Sequence, residues 1–170
     1  VSRVASVASF FISRIDSLVD SLLEQRLDTT TDPEQRGLLK SLLGKIAIAN
    51  AKLTYQRYKQ IFRGPRWQAL AAKSGQTQRL LWASTSTKNP KYRDVLYVEE
   101  LIGPDTVNTM PPSTFDAFRD HGRARASLEE NLDEAYDQME RLAKVGLAMK
   151  EVTDKLLDDA LRLFAEPFDK

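Results

Sequence analysis

Three short apolar runs along the chain predict β-strands. Residues 3–12 read RVASVASFFI, and only small serine and alanine side chains relieve the apolar character of either face. A run that is apolar on both faces is typical of a buried strand in a parallel sheet. RLLWAS at residues 79–84 predicts a second strand. TVNTM at residues 106–110 predicts a third strand, which stops at Pro111-Pro112.

Helical periodicity follows the first strand. Apolar residues recur there at spacings of three and four, which predicts an amphipathic helix. They are Ile15, Leu18, Val19, Leu22, Leu23 and Leu27. A second helical pattern runs from Pro33, suited to the first helical position after Asp32, to Phe62. Gly37 and Gly44 weaken this pattern, so it predicts two helices rather than one.

The segments around the second and third strands are shorter. Residues 66–73 predict a short helix, whereas residues 95–102 fit either a helix or a strand. After the third strand, Ser113 or Thr114 can cap a short helix that continues through Arg119.

The last third of the chain is predicted to be helical. Ser127 and Glu130 have the spacing of a capping box, which predicts that a helix starts there. This helix is expected to run to Lys144 and to end at Gly146. A final helix is expected over residues 150–164. The order of strand, helices, strand, helix, strand and helices indicates an α/β fold with about three parallel strands and extra helices.

Composition narrows the classes of function. The chain has 170 residues, a length usual for one domain, and its net charge of +1 argues against a nucleic-acid partner. No cysteine is present, which excludes thiolate metal sites and cysteine nucleophiles, and the single histidine, His121, excludes a multi-histidine metal site. The apolar runs are too short to span a membrane, so we expect no membrane partner, and the composition suggests a reducing, cytoplasmic setting. The sequence begins Val-Ser-Arg-Val inside a strand-like run, which indicates that residues once lay before it.

Polar residues at the end of the first strand suggest an anion site. Alternation along the strand puts Ser9 and Phe11 on one face, and Arg14 lies just beyond the carboxyl end. Ligands of parallel α/β folds bind at that end, where a guanidinium can form two hydrogen bonds to a phosphate. The alternative is that Arg14 pairs with Asp16 or Asp20 of the following helix.

The second strand ends in the hydroxyl-rich stretch Ser84-Thr85-Ser86-Thr87-Lys88. These side chains suit a phosphate or a polyol, but they also suit an ordinary capped loop. The glycine spacing of a Walker P-loop is absent. Asn108, at the end of the third strand, is interpreted as a loop cap rather than a substrate ligand. No lysine lies within an apolar strand, so the residues alone predict no Schiff-base nucleophile.

Four stretches of the sequence carry a resemblance to a known family. They are RVASVASFFISRID, GKIAIANAKLTYQRYKQIF followed by GPRWQALAAKSG, RLLWASTSTKNPKYRD and YVEELIGPDTVNTMPPSTFDAFRDHG. They resemble the C-terminal part of bacterial transaldolases, in the longer branch found in actinobacteria and cyanobacteria. The resemblance implies that residues 1–170 are the C-terminal part of one (β/α)8 TIM barrel whose N-terminal strands are absent from this chain.

The resemblance also implies a reaction. Transaldolases of the pentose phosphate pathway move a dihydroxyacetone unit from sedoheptulose 7-phosphate to glyceraldehyde 3-phosphate, giving erythrose 4-phosphate and fructose 6-phosphate. They use a Schiff base on a strand lysine, and they need no metal or other cofactor. The lysine and its acidic partners belong to earlier strands, and nothing in this chain matches them.

The resemblance assigns roles to residues at the strand ends. Ser9 matches a serine that hydrogen-bonds substrate, and Phe11 matches an aromatic residue that lines the site. Arg14 and Ser84 match residues of the phosphate pocket. Ser86 and Lys88 stand near a second phosphate ligand, in a loop two residues longer than in the shorter branch.

Three hypotheses remain open. The chain is an inactive piece of a transaldolase, a non-catalytic module that binds sugar phosphates or a partner, or part of an enzyme completed by a separate chain. The expected partners are sugar phosphates and the N-terminal half of the barrel, on the same or another chain. Self-association through an open strand edge is a further expectation.

Overall fold

Three parallel strands form the sheet of the computed structural model, which describes residues 4–168. Arg3, the first residue of the predicted first strand, lies outside the described residues. The strands are β1 (Ser6–Phe11), β2 (Gln78–Ala83) and β3 (Thr106–Asn108), in the order β1-β2-β3. In the register, Phe11 of β1 lies beside Ala83 of β2, so both strands end at the same edge of the sheet. The predicted parallel α/β arrangement is confirmed.

Eight helices fill the described part of the chain between and after the strands. They are α1 (Ile12–Thr29), α2 (Pro33–Leu42), α3 (Ile46–Arg63), α4 (Pro65–Ala71), α5 (Leu96–Glu100), α6 (Pro112–His121), α7 (Leu132–Lys144) and α8 (Met149–Phe168). The ambiguous segment at residues 95–102 is therefore helical at its centre. Gly146 adopts a φ of +73° just after α7, as expected of a glycine that ends a helix.

The predicted break in the second helical pattern lies at Gly44. Asp32 caps α2 by accepting a hydrogen bond from the Gln35 amide at 3.0 Å, and Pro33 is its first residue, as predicted. The chain then turns at Gly44, whose φ is +68°. Glycine adopts this left-handed conformation without steric strain, so Gly44 allows the short turn into α3.

The hydrophobic core lies on one face of the sheet. Leu80 and Trp82 of β2 point into it, and Ala8 and Phe10 of β1 pack against it. The Phe10 and Trp82 rings meet edge to face, with their centroids 5.8 Å apart. Helices α1, α2 and α3 supply much of the remaining core through large side chains that are fully buried. These include Ile12, Val19, Leu23, Leu39, Leu42 and Ile46.

The opposite face of β1 is exposed. Val7 and Phe11 retain 40% and 41% of their accessible surface, and Ser9 beside them is also exposed. The prediction that β1 is a buried strand is therefore wrong for this sheet. The physical reason is that the described helices leave Val7, Ser9 and Phe11 exposed, and only β2 pairs with β1 among the described strands.

Two predicted helix caps are also wrong. Ser127 is fully buried, where its hydroxyl accepts from the Ile102 amide at 3.2 Å and donates to the Glu99 carbonyl. It therefore supports the end of α5, and α7 begins only after Asn131. In α6 the helix starts at Pro112, before Ser113 and Thr114, so neither hydroxyl occupies the N-cap.

Candidate functional site

The predicted site residues on β1 lie together at the carboxyl end of the strand. Ser9, Phe11 and Arg14 line one cavity of about 350 Å³, which α8 borders with Leu156 and Leu157. Ser9 and Phe11 reach the cavity from the exposed face because alternate strand residues point the same way. Arg14 reaches it from the first turn of α1, which starts directly after the strand.

The Arg14 guanidinium lies over an aromatic ring rather than beside a carboxylate. Its central carbon is 4.6 Å from the centroid of the Phe11 ring. Within residues 4–168, no acidic side chain forms an ion pair with Arg14, and both Asp16 and Asp20 bind other groups. The alternative in which Arg14 is neutralised by its own helix is therefore wrong. Its charge stays available at the end of β1.

Ser84 joins the carboxyl ends of β1 and β2. Its hydroxyl lies 2.8 Å from the hydroxyl of Ser13, and its carbonyl accepts the Ser13 amide at 3.1 Å. Ser84 has a φ of +56°, an uncommon conformation for a residue with a side chain. The Ser13 contacts hold this conformation, and they place Ser84 next to the residue that precedes Arg14 in the chain.

The residues after Ser84 are fixed by the neighbouring strand. Thr85 is fully buried, and its hydroxyl lies 2.9 Å from the Oδ1 atom of Asn108 and 3.3 Å from the Thr109 carbonyl. Asn108 therefore stabilises the loop, in keeping with its interpretation as a loop residue.

Ser86 and Lys88 contact each other, and Lys88 lines a different cavity from Arg14. The Lys88 ammonium donates to the Ser86 hydroxyl at 2.8 Å. Lys88 lines a cavity of about 190 Å³ beside Asp20, Glu24 and Tyr92. The structure thus brings Ser9, Phe11 and Arg14 together, and it places Lys88 on the other side of the start of α1.

Two buried aspartates of α1 were missed as structural elements of this region. Asp16 accepts from the Ala47 amide and the Tyr97 hydroxyl, both at 2.8 Å, and burial raises its pKa to about 6. Burial also raises the pKa of Asp20, which accepts from the Gly44 amide and the Tyr92 hydroxyl. The helical spacing holds a signal for them, because both fall on the same buried stripe as Ile12, Ile15, Val19 and Leu23.

Comparison with known proteins shows the family. The family model described as transaldolase/fructose-6-phosphate aldolase matches residues 1–170. The chain belongs to this family. It is 48% identical over 170 residues to a transaldolase of Trichodesmium erythraeum, and 50% identical over 171 residues to transaldolase 2 of Nostoc punctiforme. It is 45% identical over 170 residues to a transaldolase of Neisseria meningitidis serogroup A.

The chain spans less than half the length of the transaldolases that it matches. The matches cover 99–100% of this chain but 44–45% of each of those three relatives. Coverage of less than half of each relative agrees with the resemblance to the C-terminal part of a transaldolase. Three parallel strands likewise fit part of a (β/α)8 barrel, because the complete fold has eight. Within the described residues of this transaldolase-family chain, no helix has both the length and the apolar character needed to cross a bilayer.

Proposed function

We propose that this chain supplies the phosphate-binding side of a transaldolase. In this proposal, residues 1–170 form the C-terminal part of one (β/α)8 domain. The complete enzyme transfers a dihydroxyacetone unit from sedoheptulose 7-phosphate to glyceraldehyde 3-phosphate. Erythrose 4-phosphate and fructose 6-phosphate are the products. We further propose a cytoplasmic location, which suits a chain without cysteine.

One observation carries the proposal. Arg14 presents a guanidinium with no carboxylate partner in the described structure, at the carboxyl end of β1 and beside the exposed Ser9 and Phe11. Sugar phosphates bind at that end of parallel strands in barrel enzymes, and a guanidinium forms two charge-assisted hydrogen bonds to a phosphate. Ser84, joined to Ser13, places a hydroxyl at the adjacent strand end. By resemblance, Ser86 and Lys88 of the following loop would also bind the phosphate, with the exposed Lys88 side chain turning toward Arg14 from the separate cavity that it lines in this structure.

The nucleophile of the proposed reaction lies outside this chain. None of the three described strands contains a lysine. A bound phosphate would hold the substrate so that its carbonyl lies next to a lysine on another strand. The binding energy of the phosphate would then position the carbonyl for reaction. The three strands also cannot close a barrel. We therefore propose that the chain is inactive alone and needs the N-terminal half of the barrel, on the same or a separate chain.

A second candidate function is a non-catalytic module that binds sugar phosphates. The observation that favours it is that Ser13, Ser84, Thr85 and Asn108 fix the strand ends by contacts within the described residues. Such a module would bind phosphate without the missing strands. The exposed apolar face of β1 would then be covered by self-association or by another protein.

A hybrid enzyme tests the proposal. The part of the Trichodesmium erythraeum transaldolase that this chain does not match is joined to the 170-residue chain, and it is also supplied as a separate polypeptide. We expect transaldolase turnover from the hybrid and none from the 170-residue chain alone. Turnover after the two pieces are mixed would support completion by a separate chain.

Covalent trapping gives an independent test. The 170-residue chain and the hybrid are each reduced with borohydride in the presence of fructose 6-phosphate, and their intact masses are measured. We expect an adduct on the hybrid only. An adduct on the 170-residue chain would contradict the absence of the nucleophile. A hybrid that folds but neither turns over nor traps substrate would refute the transaldolase function, and saturable phosphate binding would then favour the module.

A further inference from the structure

Helix α1 holds both ends of the segment that follows β2. At the start of this segment, Ser13 binds Ser84 through a backbone and a side-chain contact. At its end, Tyr92 donates from its hydroxyl to Asp20 at 2.6 Å. Ser84–Tyr92, which we call the β2 loop, is therefore fixed to the same helix that carries Arg14.

Two elements hold the Tyr92 side chain: Asp20 of α1 and the turn at Gly44. Asp20 uses its second carboxylate oxygen to accept the Gly44 amide at 2.9 Å, so one carboxylate binds both the tyrosine and the α2–α3 turn. A Cβ atom placed on Gly44 would lie 2.6 Å from Cζ of Tyr92, which shows how closely the ring packs on the turn. The Tyr92 ring therefore packs between helix α1 and Gly44.

Inside the β2 loop, Asn89 connects Tyr92 to Lys88. The Asn89 carbonyl accepts the Tyr92 amide at 3.1 Å, and its side chain accepts the Lys91 amide at 3.0 Å. This local turn links Tyr92 to Asn89, the residue after Lys88, and the Lys88 ammonium donates to the Ser86 hydroxyl. The backbone next to Lys88 is thus tied to an anchor four residues away in the chain.

One helical turn earlier, the same arrangement recurs with a different effect. Asp16 binds the Ala47 amide through one oxygen and the Tyr97 hydroxyl through the other. Tyr97 belongs to α5, which follows the β2 loop. The Asp16 pair therefore fixes a helix, whereas the Asp20 pair fixes the loop.

We propose that Asp20 and Tyr92 are positioning residues, which hold the Ser86 and Lys88 side chains at a set distance from Arg14. This inference rests on the proposed function, because it assumes that those side chains bind the phosphate of the substrate. Helix α1 is the rigid element that fixes the distance: Arg14 projects from its first turn, and Asp20 anchors the loop less than two turns later. Loss of the Tyr92 hydroxyl would free the loop and weaken phosphate binding, with no change in the groups that touch substrate.

The test compares Tyr92→Phe with Tyr97→Phe in the hybrid enzyme. Each variant removes one hydroxyl that donates to a buried aspartate of α1, so the two are matched in chemistry. KM and kcat are measured with fructose 6-phosphate and with unphosphorylated fructose as donor, and Ki is measured for inorganic phosphate. For Tyr92→Phe we expect KM for the phosphorylated donor and Ki for phosphate to rise about fivefold to tenfold, the effect of losing one hydrogen bond of typical net strength. We expect the kinetic constants for fructose to stay within about twofold.

Tyr97→Phe is expected to lower the unfolding temperature but to leave the preference for the phosphorylated donor unchanged. Equal changes in both variants, or none in Tyr92→Phe, would overturn the positioning role. Asn89→Ala removes the side-chain cap of the turn without touching the core, and it should weaken phosphate binding in the same direction. It provides the decisive measurement if Tyr92→Phe does not fold, and no change in its Ki would then overturn the proposal.

The unmodified hybrid separates this proposal from the one on which it rests. If it turns over sugars with no preference for phosphorylated donors and no inhibition by phosphate, both the phosphate pocket and the positioning role are refuted. If it prefers phosphorylated donors and Tyr92→Phe keeps that preference, only the positioning role is refuted.

Discussion

The buried carboxylate of Asp16 makes the stability of the fold depend on pH in a specific direction. Asp16 retains 1% of its accessible surface, and burial raises its pKa from 3.8 to about 6 despite two hydrogen bonds that act in the opposite sense. The folded state thus holds a proton at pH values where the unfolded chain has lost it. The contribution of Asp16 to stability is greatest below pH 3.8, and it is lost as the pH rises through about 6.

The magnitude follows from the two pKa values. One pKa unit between folded and unfolded states corresponds to about 1.4 kcal/mol. A folded pKa of about 6 against 3.8 therefore corresponds to about 3 kcal/mol over the whole pH range. Between pH 4 and 7.5 the change is about 2.5 kcal/mol, because the unfolded carboxyl is already partly ionised at pH 4.

Asp16→Asn isolates this contribution. An asparagine can accept the Ala47 amide and donate to the Tyr97 hydroxyl, so it imitates the protonated carboxyl at every pH. Urea unfolding of the wild-type chain and the variant is measured from pH 4 to 7.5. We expect the variant to gain about 2.5 kcal/mol relative to the wild type across this range.

Asp28→Asn is the matched control, since Asp28 lies on the same helix with its side chain exposed. Carboxyl groups that do not interact with Asp16 cancel in the differences; Asp20, whose charge contributes to the raised pKa of Asp16, is counted with it. A difference between wild type and Asp16→Asn that stays constant with pH, or matches the control, would refute the argument. A difference that changes in the opposite direction would mean that the hydrogen bonds to Asp16 outweigh its burial.

Three further predictions concern single side chains. Arg14→Ala in the hybrid should raise KM for fructose 6-phosphate about 30-fold, because charge-assisted hydrogen bonds to the phosphate are lost. KM for fructose should rise much less, and equal rises for both sugars would exclude the phosphate role. Gly44→Ala should lower the free energy of unfolding by about 3 kcal/mol in urea titrations, because alanine is strained at this φ and its Cβ would collide with Tyr92. The His121 ring donates hydrogen bonds to the carboxylates of Asp94 and Asp120, which raise its pKa, so its titration followed by NMR should have a midpoint above 6.5 that falls in Asp94→Asn.

The backbone architecture was predictable because its signals are local. RLLWAS places β2 within one residue of its observed bounds, since the apolar run is bordered by polar residues on both sides. A break in the second helical pattern was predictable because a glycine inside a helix is costly, but its position was not, since Gly37 carries the same signal and lies inside α2. These signals require no knowledge of distant residues.

The predictions from sequence were wrong where contacts between residues far apart in the chain determine the structure. The burial of β1 depends on whether another layer covers its outer face, which its own residues do not determine. The Ser127 capping box has the correct local spacing, but the hydroxyl is used by the Ile102 amide and the Glu99 carbonyl of a separate element. A tertiary contact to two backbone groups outweighs one local cap.

The buried aspartates of α1 were predictable in part. Their place on the apolar stripe of the helix is readable from the spacing, and a buried carboxylate requires hydrogen-bond donors. The donors are the amides of Gly44 and Ala47 and the hydroxyls of Tyr92 and Tyr97. The two amides lie 24 and 31 positions from their aspartates and the two hydroxyls 72 and 81, and no sequence pattern identifies pairs at such separations. The sequence therefore indicates that Asp16 and Asp20 have partners, and only the structure identifies them.

The location of these contacts bears on how the site is assembled. Ser13, Asp20 and Tyr92 fix the β2 loop to α1, and every one of these anchors lies within this chain although β1 pairs on one side only in the described sheet. The proposed phosphate pocket therefore takes its shape from contacts within this chain, whereas the proposed chemistry requires a lysine that the three described strands do not supply. Under the proposed function we expect the 170-residue chain by itself to retain measurable affinity for inorganic phosphate, lost in Arg14→Ala, and to show no turnover.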